Sequence, residues 1–425
     1  MTSATRDKLG RPVIAVTGIG IVTSLGTGQV DNWTNLIGGI SGIRQISRFS
    51  TEGLRTTIAG TVNDAYRDDM SPAELSERIA LLAGEEAIAQ AAIGGKGHFP
   101  GPLFLAPPPL EIEWPDRIKM AAMATAEADP AYPELLRVAR DFAATRGAFR
   151  FGIIGEHLAE KFGTEGSPIS LNTACASGAS AIQLGVEAIR RGECEAALAI
   201  GADASLTPES LVRFSLLSAL STQNDPPQRA SKPFSKNRDG FVLAEGAAAL
   251  VLEDFNHAKA RGARVLGILE GVGEKSDSFH RTRSSPDGRP IIASMRNALA
   301  DAGVAPDEVD YINAHGTSTP ENDKMEHLGV SAVFGERVRG IPISSNKSMI
   351  GHTLTAAGAV EAAFTLLTLQ NQRIPPTINY GVPDPAIPLD VVPNVARDAK
   401  LRRALSNSFG FGGQNVCLVM TMEPA

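Results

Sequence analysis

Ser167-Pro-Ile-Ser-Leu-Asn-Thr-Ala-Cys175-Ala-Ser-Gly-Ala-Ser-Ala-Ile-Gln-Leu-Gly185 is the stretch that decides how this chain reads. A short buried strand runs into a tight small-residue turn, and a helix follows. The Cys175 thiol therefore stands where a helix begins. Unpaired backbone N–H groups and the positive end of the helix dipole are expected to favour its thiolate there. The thiolate is the nucleophilic form, so backbone alone would build an activated sulfur. A lone cysteine is more often a small core residue. Two histidine motifs further along weigh against that reading.

Composition sets the frame. A chain of 425 residues exceeds one simple core, so two domains or one duplicated architecture is expected. Three cysteines, Cys175, Cys194 and Cys417, show no paired spacing, hence no disulfide framework, no zinc pattern and no metal site. A reducing, cytoplasmic location fits. No signal peptide and no bilayer-spanning run is read. The formal charge of −7 argues against general nucleic-acid binding. An acidic partner would need a local basic patch.

Along the chain, Pro12 to Gly20 reads as a buried strand ending in a Gly turn. It lacks the full dinucleotide fingerprint. Residues 71–95 read as a long helix opening at Ser71-Pro72. Residues 96–116, with Pro107 to Pro109 and Trp114, read as a loop or extended excursion. Residues 133–164 read as helical and carry Arg137, Arg140, Arg146 and Arg150. Strands then alternate with helices. One over 309–313 delivers His315, and one over 341–345 delivers Lys347 and His352. Leu405 to Met422 reads as strand, Gly-rich loop, strand. The alternation predicts an α/β protein with sheets covered on both faces. A weak echo between the halves suggests duplication, each opening with an apolar strand and a Gly-containing turn.

His315 lies in Asn313-Ala-His-Gly-Thr-Ser-Thr-Pro320, and His352 in Ser344-Ser-Asn-Lys-Ser-Met-Ile-Gly-His352-Thr-Leu-Thr-Ala-Ala-Gly-Ala-Val-Glu361. Asn407-Ser-Phe-Gly-Phe-Gly-Gly-Gln-Asn415 sets Phe409 and Phe411 among glycines. Each segment alone has an ordinary account: a capping or core histidine, or a hairpin loop.

Taken with the Cys175 stretch, these segments resemble the condensing enzymes of the thiolase superfamily, most closely the type II elongating β-ketoacyl-(acyl-carrier-protein) synthases. The resemblance runs from Val13 to the C-terminus and is weakest over 60–150. It implies a thiolase-like duplicated α/β/α/β/α layered fold with two similar halves, 1–255 with the variable insertion 60–150 and 256–425. It implies decarboxylative Claisen condensation in fatty-acid elongation, with no cofactor. Cys175 would carry the acyl group. His315 and His352 would stabilise the enolate left when a malonyl thioester loses carbon dioxide, and backbone N–H groups of Cys175 and Phe411 would form the oxyanion hole. Lys347 matches a lysine near His315, with Asp323 and Glu326 as acidic partners on one helical face. Thr317 and Thr319 match residues that bind the pantetheine arm. Thr282 matches one near the malonyl group, Phe411 the gate, Phe409 a support, and Phe214 an acyl-pocket position that a core phenylalanine explains equally well. An acyl carrier protein and a homodimer are the implied partners.

Three positions depart from the family pattern: Asn322 and Thr355 stand for the usual Gly, and Gln414 for the usual Thr. Gln414 puts the loop's local hydrogen bonding in question. The family docks its acidic carrier on basic residues. This chain has Glu-Leu-Ser-Glu-Arg-Ile-Ala over 74–80, and Ser218 and Gln223 where arginines are usual. Docking on Arg137, Arg140, Arg146 and Arg150 is the expectation, or else the carrier is unusual. A solvated helical face accounts for these arginines as well. Rival readings are a non-condensing, chain-length-determining partner subunit, a thiolase using Cys417 as second cysteine, and a papain-like hydrolase. The first generally lacks the reactive Cys. For the second, Cys417 falls inside the last strand. The His-Gly-Thr-Ser-Thr and Gly-rich motifs argue against the third.

Overall fold

The computed structural model describes residues 5–67, 70–95, 97–112, 114–124, 132–141 and 150–424. From the N-terminal half, the main path of the large sheet takes β1 (Ile14–Thr23), β2 (Leu103–Ala106), β3 (Ile169–Ser170), β4 (Ala196–Asp203) and β5 (Gly246–Asp254). From the C-terminal half it takes β6 (Gly267–Ser276), β7 (Tyr311–Asn313), β8 (Ile343–Ser344), β9 (Arg403–Phe409) and β10 (Gln414–Thr421). Their order is β8-β7-β9-β10-β6-β1-β5-β4-β2-β3, with Gly26–Thr27 paired to β1.

Read outward from the centre, the halves are the same. β1-β5-β4-β2-β3 repeats as β6-β10-β9-β7-β8. The pairing senses repeat too, two antiparallel neighbours followed by two parallel ones. Among the described strands, the two halves of the sheet pair through Ile14–Val16 against Gly267–Leu269. The fold is thus the duplicated thiolase-like one.

Helices fill the layers. α1 (Pro72–Ala91), opened by a Ser71/Glu74 capping box, covers the outer face of β1, β5 and β4. α2 (Trp114–Ala124) and α3 (Tyr132–Asp141) pack on each other. α4 (Ser177–Arg190) lies in the middle layer, and α5 (Pro208–Leu216) follows β4. α6 (Arg289–Ala302) covers β6 and β10, with α7 (Pro320–Phe334) against it. α8 (Ala357–Asn371) joins α4 in the middle, and both touch strands of both halves. Residues 357–369 are all buried, as expected for a helix with sheet on two sides.

The glycines of the opening strands do not form turns, as the sequence suggested. Gly18 and Gly20 lie inside β1, where a Cβ would fall 2.0 Å from Ala87 O and 1.8 Å from Ala83 O of α1. Gly271 and Gly273 repeat this in β6 against Ala298 of α6. The missing side chains let a helix backbone lie directly on the strand. Gly20→Ala should therefore cost about 3 kcal/mol or more, at or above the top of the usual overpacking range, because backbone must move. Denaturant unfolding reads this, and a loss under about 1 kcal/mol would contradict it.

Two other expectations change. Residues 96–116 are not all excursion, because Leu103–Ala106 is a buried internal strand between β4 and β3. Pro102 and Pro107 bracket it and masked so short an apolar run. Of the helix read over 133–164, Tyr132–Asp141 and Ile153–Phe162 are helical, 150–152 are not, and 142–149 lie outside the described residues.

Candidate active site

Ala174 has φ +51°, a left-handed conformation that costs energy in a non-glycine residue. It turns the chain from β3 sharply into α4. Ser177 braces the turn: Thr173 N–H donates to its Oγ at 2.8 Å, and that hydroxyl donates to Ala174 O at 2.6 Å. Cys175 sits at the apex, 8% exposed, one residue before the helix cap. The Phe411 backbone N–H donates to its sulfur.

The expected thiolate is not the resting form. Burial pushes the Cys175 thiol up to about 11, and the negative charges of Asp203 and Glu361 add to this. The Phe411 N–H and Lys347 pull the other way without prevailing. Desolvation outweighs the helix start. Iodoacetamide alkylation of Cys175 should therefore speed up about tenfold per pH unit between roughly pH 7 and 10. A plateau near neutral pH would show a thiolate already formed.

β7 delivers His315, and the loop after it is held from behind. His315 N–H and Gly316 N–H donate to the two Glu326 oxygens at 2.8 and 2.7 Å, and Asn407 Nδ2 donates to the same carboxylate at 3.0 Å. Lys347 Nζ donates to His315 O at 2.7 Å and lies 3.4 Å from Nδ1. An ammonium facing Nδ1 leaves the ring proton on Nε2. His352 is fixed through its backbone: its N–H donates to Val242 O at 2.7 Å, and Ala244 N–H donates to its carbonyl at 3.0 Å. The imidazoles stand edge to face, centroids 5.4 Å apart. Phe409 packs on His315 and Phe241 on His352. Burial and the Lys347 charge push both histidines well below their ordinary value, so both are neutral.

Asp323 and Glu326 do not reach Lys347. They share a buried face of α7, but that face meets backbone. Asp323 accepts from Phe234 N–H at 2.8 Å and lies 3.4 Å from the Arg238 guanidinium. The lysine's carboxylate is Glu361 of α8, a fully buried ion pair. Burial pushes Glu361 up against the pull of that lysine. Sequence reasoning missed Glu361 although a signal was present: it is the single charge in an otherwise uncharged, apolar helix, and such a charge needs a partner.

Cys175 lies at the junction of two cavities of about 450 and 620 Å³, with Phe214, Leu354 and Phe411 lining both. The larger is lined by His315, His352, Phe409, Thr317, Thr319 and Thr282. Thr317 and Thr319 bond to each other at 2.9 Å, and Thr319 caps α7. Thr282 N–H donates to His280 at 3.1 Å. The smaller cavity continues on the far side of the sulfur past Asn172, Asp203 and Pro108. Phe214 is half-buried and packs edge-on against Phe241. Sequence reasoning did not single out Leu354, whose φ of +45° marks a constrained position.

The departures are accommodated. Thr355 Oγ1 donates to Asp203 at 2.8 Å, and Asn322 Nδ2 donates to Asp323 at 3.1 Å. Gln414 bonds to Ser276 and Glu274 of β6, which settles the loop's hydrogen bonding. Cys417 is buried in β10, donates to Asn407 Oδ1 at 3.2 Å and lines neither cavity. It is therefore no second nucleophile.

Of the four arginines expected at the dock, the described ones, Arg137, Arg140 and Arg150, line neither Cys175 cavity. Arg137 pairs with Glu134 and Arg150 with Glu156. Arg140 is exposed on α3, and Arg146 lies outside the described residues. The entrance instead carries exposed Arg281, Arg283 and Lys324, with no ion-pair partner among the described residues. As for metals, no His/Cys/Asp/Glu cluster occurs among the described residues. Asn313 Oδ1, Ser406 Oγ and Glu361 Oε2 are buried without hydrogen-bond partners. Asn313 and Ser406 are register neighbours, and Asn313 Nδ2 donates to the Glu361 carbonyl. Such oxygens suit a hard alkali or alkaline-earth cation.

Residues 11–93 and 126–258 match the β-ketoacyl synthase N-terminal domain, and 266–381 its C-terminal domain. The chain belongs to the β-ketoacyl synthase family. It is 36% identical over 419 residues to 3-oxoacyl-[acyl-carrier-protein] synthase 2 of Coxiella burnetii, covering 96% of this chain and 98% of that one. It is 35% identical over 422 residues to a putative polyketide β-ketoacyl synthase of Streptomyces cyaneus, covering 96% and 97%. Among solved structures, it resembles a type II polyketide ketosynthase in complex with its acyl-carrier protein and bound to the hexaketide, with TM-score 0.84, 32% identity and coverage of 97% and 100%. The ishigamide ketosynthase/chain length factor superposes with TM-score 0.81, 32% identity and coverage of 97% and 100%. No described helix is long and apolar enough to cross a membrane.

Proposed function

We propose that this chain is a 3-oxoacyl-[acyl-carrier-protein] synthase that joins a Cys175-bound acyl group to malonyl-acyl carrier protein. The observation that carries the reading is the convergence of Cys175, His315 and His352 on one cavity, with the Phe411 N–H at the sulfur. The Cys175 sulfur adds to an acyl thioester carbonyl, the C–S bond to the carrier breaks, and the thiol proton leaves on the departing carrier sulfur as its thiol. A malonyl thioester takes the vacated cavity and loses carbon dioxide. The enolate oxygen lies at the histidines, where His315 Nε2–H donates and water is excluded. The enolate carbon attacks the acyl-Cys175 carbonyl, whose oxygen is met by the N–H groups of Phe411 and Cys175, and the Cys175 thiolate leaves. Two neutral imidazoles suit the decarboxylation, since that step needs a donor and no base. Lys347 and Glu326 position His315. Thr317, Thr319 and Thr282 line the path of the pantetheine arm, and Phe411 gates it.

Incubation with acyl carriers of graded length, followed by mass spectrometry, tests the reading. Acyl mass located on Cys175 supports it, and its absence with every chain overturns it. A chain-length-determining subunit is disfavoured because nucleophile and both histidines are assembled. The chain divides at 255/256 in this reading, acts in the cytoplasm and works as a homodimer. β3 is the outermost strand of the sheet among the described residues, and Ile169 is 46% exposed, which supports pairing with a second copy.

For the carrier, the entrance rim favours docking at Arg281, Arg283 and Lys324 over the α3 arginines. Charge steering raises encounter rates, so reversal acts mainly through association. Arg281→Glu/Arg283→Glu should raise KM for the carrier substrate about tenfold or more, and Arg137→Glu/Arg140→Glu should change it less than twofold. The opposite pattern would restore the α3 patch.

A further inference from the structure

A third cavity, of about 720 Å³, lies on the other side of the first turn of α5 from the Cys175 cavity. The two share four wall residues: Pro72, Thr207, Glu209 and Arg213. Side chains hold this wall together. Glu209 accepts from Trp114 N–H at 2.8 Å, and Arg213 pairs with Glu111 at 2.5 Å, both half exposed. Beyond the wall, Phe49, Tyr66, Met70, Leu206, Val212 and Trp114 surround the space. Its floor is the buried Arg48–Glu245 pair, with the guanidinium 4.1 Å from the Tyr66 ring centroid. Arg48 is fully engaged except at Nε, which is buried without a partner. An apolar, aromatic groove, open to solvent along Trp114, Val212 and Leu216 and sharing a side-chain wall with a nucleophile's cavity, is suited to what that nucleophile carries.

We propose that this cavity is a distal chamber for the acyl group on Cys175, taking the apolar tail of chains too long for the 450 Å³ cavity, with the Glu111–Arg213 pair parting to admit it. The inference rests on Cys175 being acylated. Continuity through the shared wall points to the acyl tail as occupant.

The test uses hexanoyl and hexadecanoyl thioesters of the carrier arm, with Cys175 loading read by mass spectrometry. Val212 lines the distal chamber but not the Cys175 cavity and is 45% exposed, so Val212→Trp adds bulk there at little risk to folding. It should cut hexadecanoyl loading about tenfold or more and leave hexanoyl loading unchanged. A second measurement leaves the chamber intact. The chain has 2 tryptophans, Trp33 and Trp114, and Trp114 lines the chamber. In Trp33→Phe protein, a hexadecanoyl group brominated at its end should quench Trp114 fluorescence, and a hexanoyl group brominated at its end should not. If both chains load, no quenching occurs and Val212→Trp loads both equally, the distal chamber is refuted while the acyl-enzyme stands. If only hexanoyl loads on the unmodified protein, the chamber is likewise refuted. If neither chain reaches Cys175, the acyl-enzyme and the chamber fall together.

Discussion

Cys175→Ala leaves a protein that folds, binds acyl carriers and gains no acyl mass. Condensation through an acyl-enzyme should fall by about 10⁴-fold or more, the scale on which loss of a nucleophile is felt. The reasoning is local. The thiol is the group at the junction of both cavities, and alanine fills the same turn without new volume. Ala174 keeps its left-handed φ and Ser177 its two hydrogen bonds, so the elbow survives. Decarboxylation of malonyl carrier should persist in this variant, because His315 and His352 are untouched. Acyl mass on the alanine variant would place the nucleophile elsewhere. Loss of decarboxylation along with loading would count against the separation of roles between sulfur and imidazoles.

Lys347→Met should be the most destabilising single change at the site, by about 3–5 kcal/mol. The lysine is 1% exposed and pairs with a carboxylate equally buried. Removing it strands Glu361 and leaves the His315 carbonyl without its donor. Adding Glu361→Leu removes the stranded charge, and most of the stability should return, as it does when both partners of a buried pair become apolar. Condensation should not return, because the ammonium that faces His315 Nδ1 and keeps the proton on Nε2 is still missing. Denaturant unfolding and condensation rate, measured on both variants, separate the two contributions. Equal recovery of stability and rate would reduce Lys347 to a structural residue. A single-variant cost below about 1 kcal/mol would mean that the pair is not held as charges.

Much of this was legible in the residues. The Cys175 turn, the two histidine motifs and the Gly-rich loop are local patterns, and local patterns name the elements that carry them. What escaped has a common cause, since it depends on which face meets which neighbour. Asp323 and Glu326 were read correctly as one helical face, but spacing does not tell whether that face meets a lysine or a backbone loop. The thiolate expectation counted the helix start and left out desolvation, which is a property of the packed site. β2 hid between prolines because four apolar residues carry little periodicity. Gly18 and Gly20 look like a turn until α1 lies on them. The basic entrance was invisible because Arg281, Arg283 and Lys324 come from two segments joined only by the fold.

The crossing of α4 and α8 has a consequence for how the chain is made. A Cβ on Gly178 would fall 2.5 Å from Ala359 N, and one on Gly358 would fall 2.4 Å from Ala179 N. The two backbones are in direct contact, and α8 is translated long after α4. A ribosome therefore exposes a half whose inner helix lies on its own strands but lacks its facing helix until α8 has been made. Through that interval the nascent chain carries a naked apolar surface. Native structure should appear together once α8 has emerged, and holdase-type chaperones have their natural target in the waiting first half.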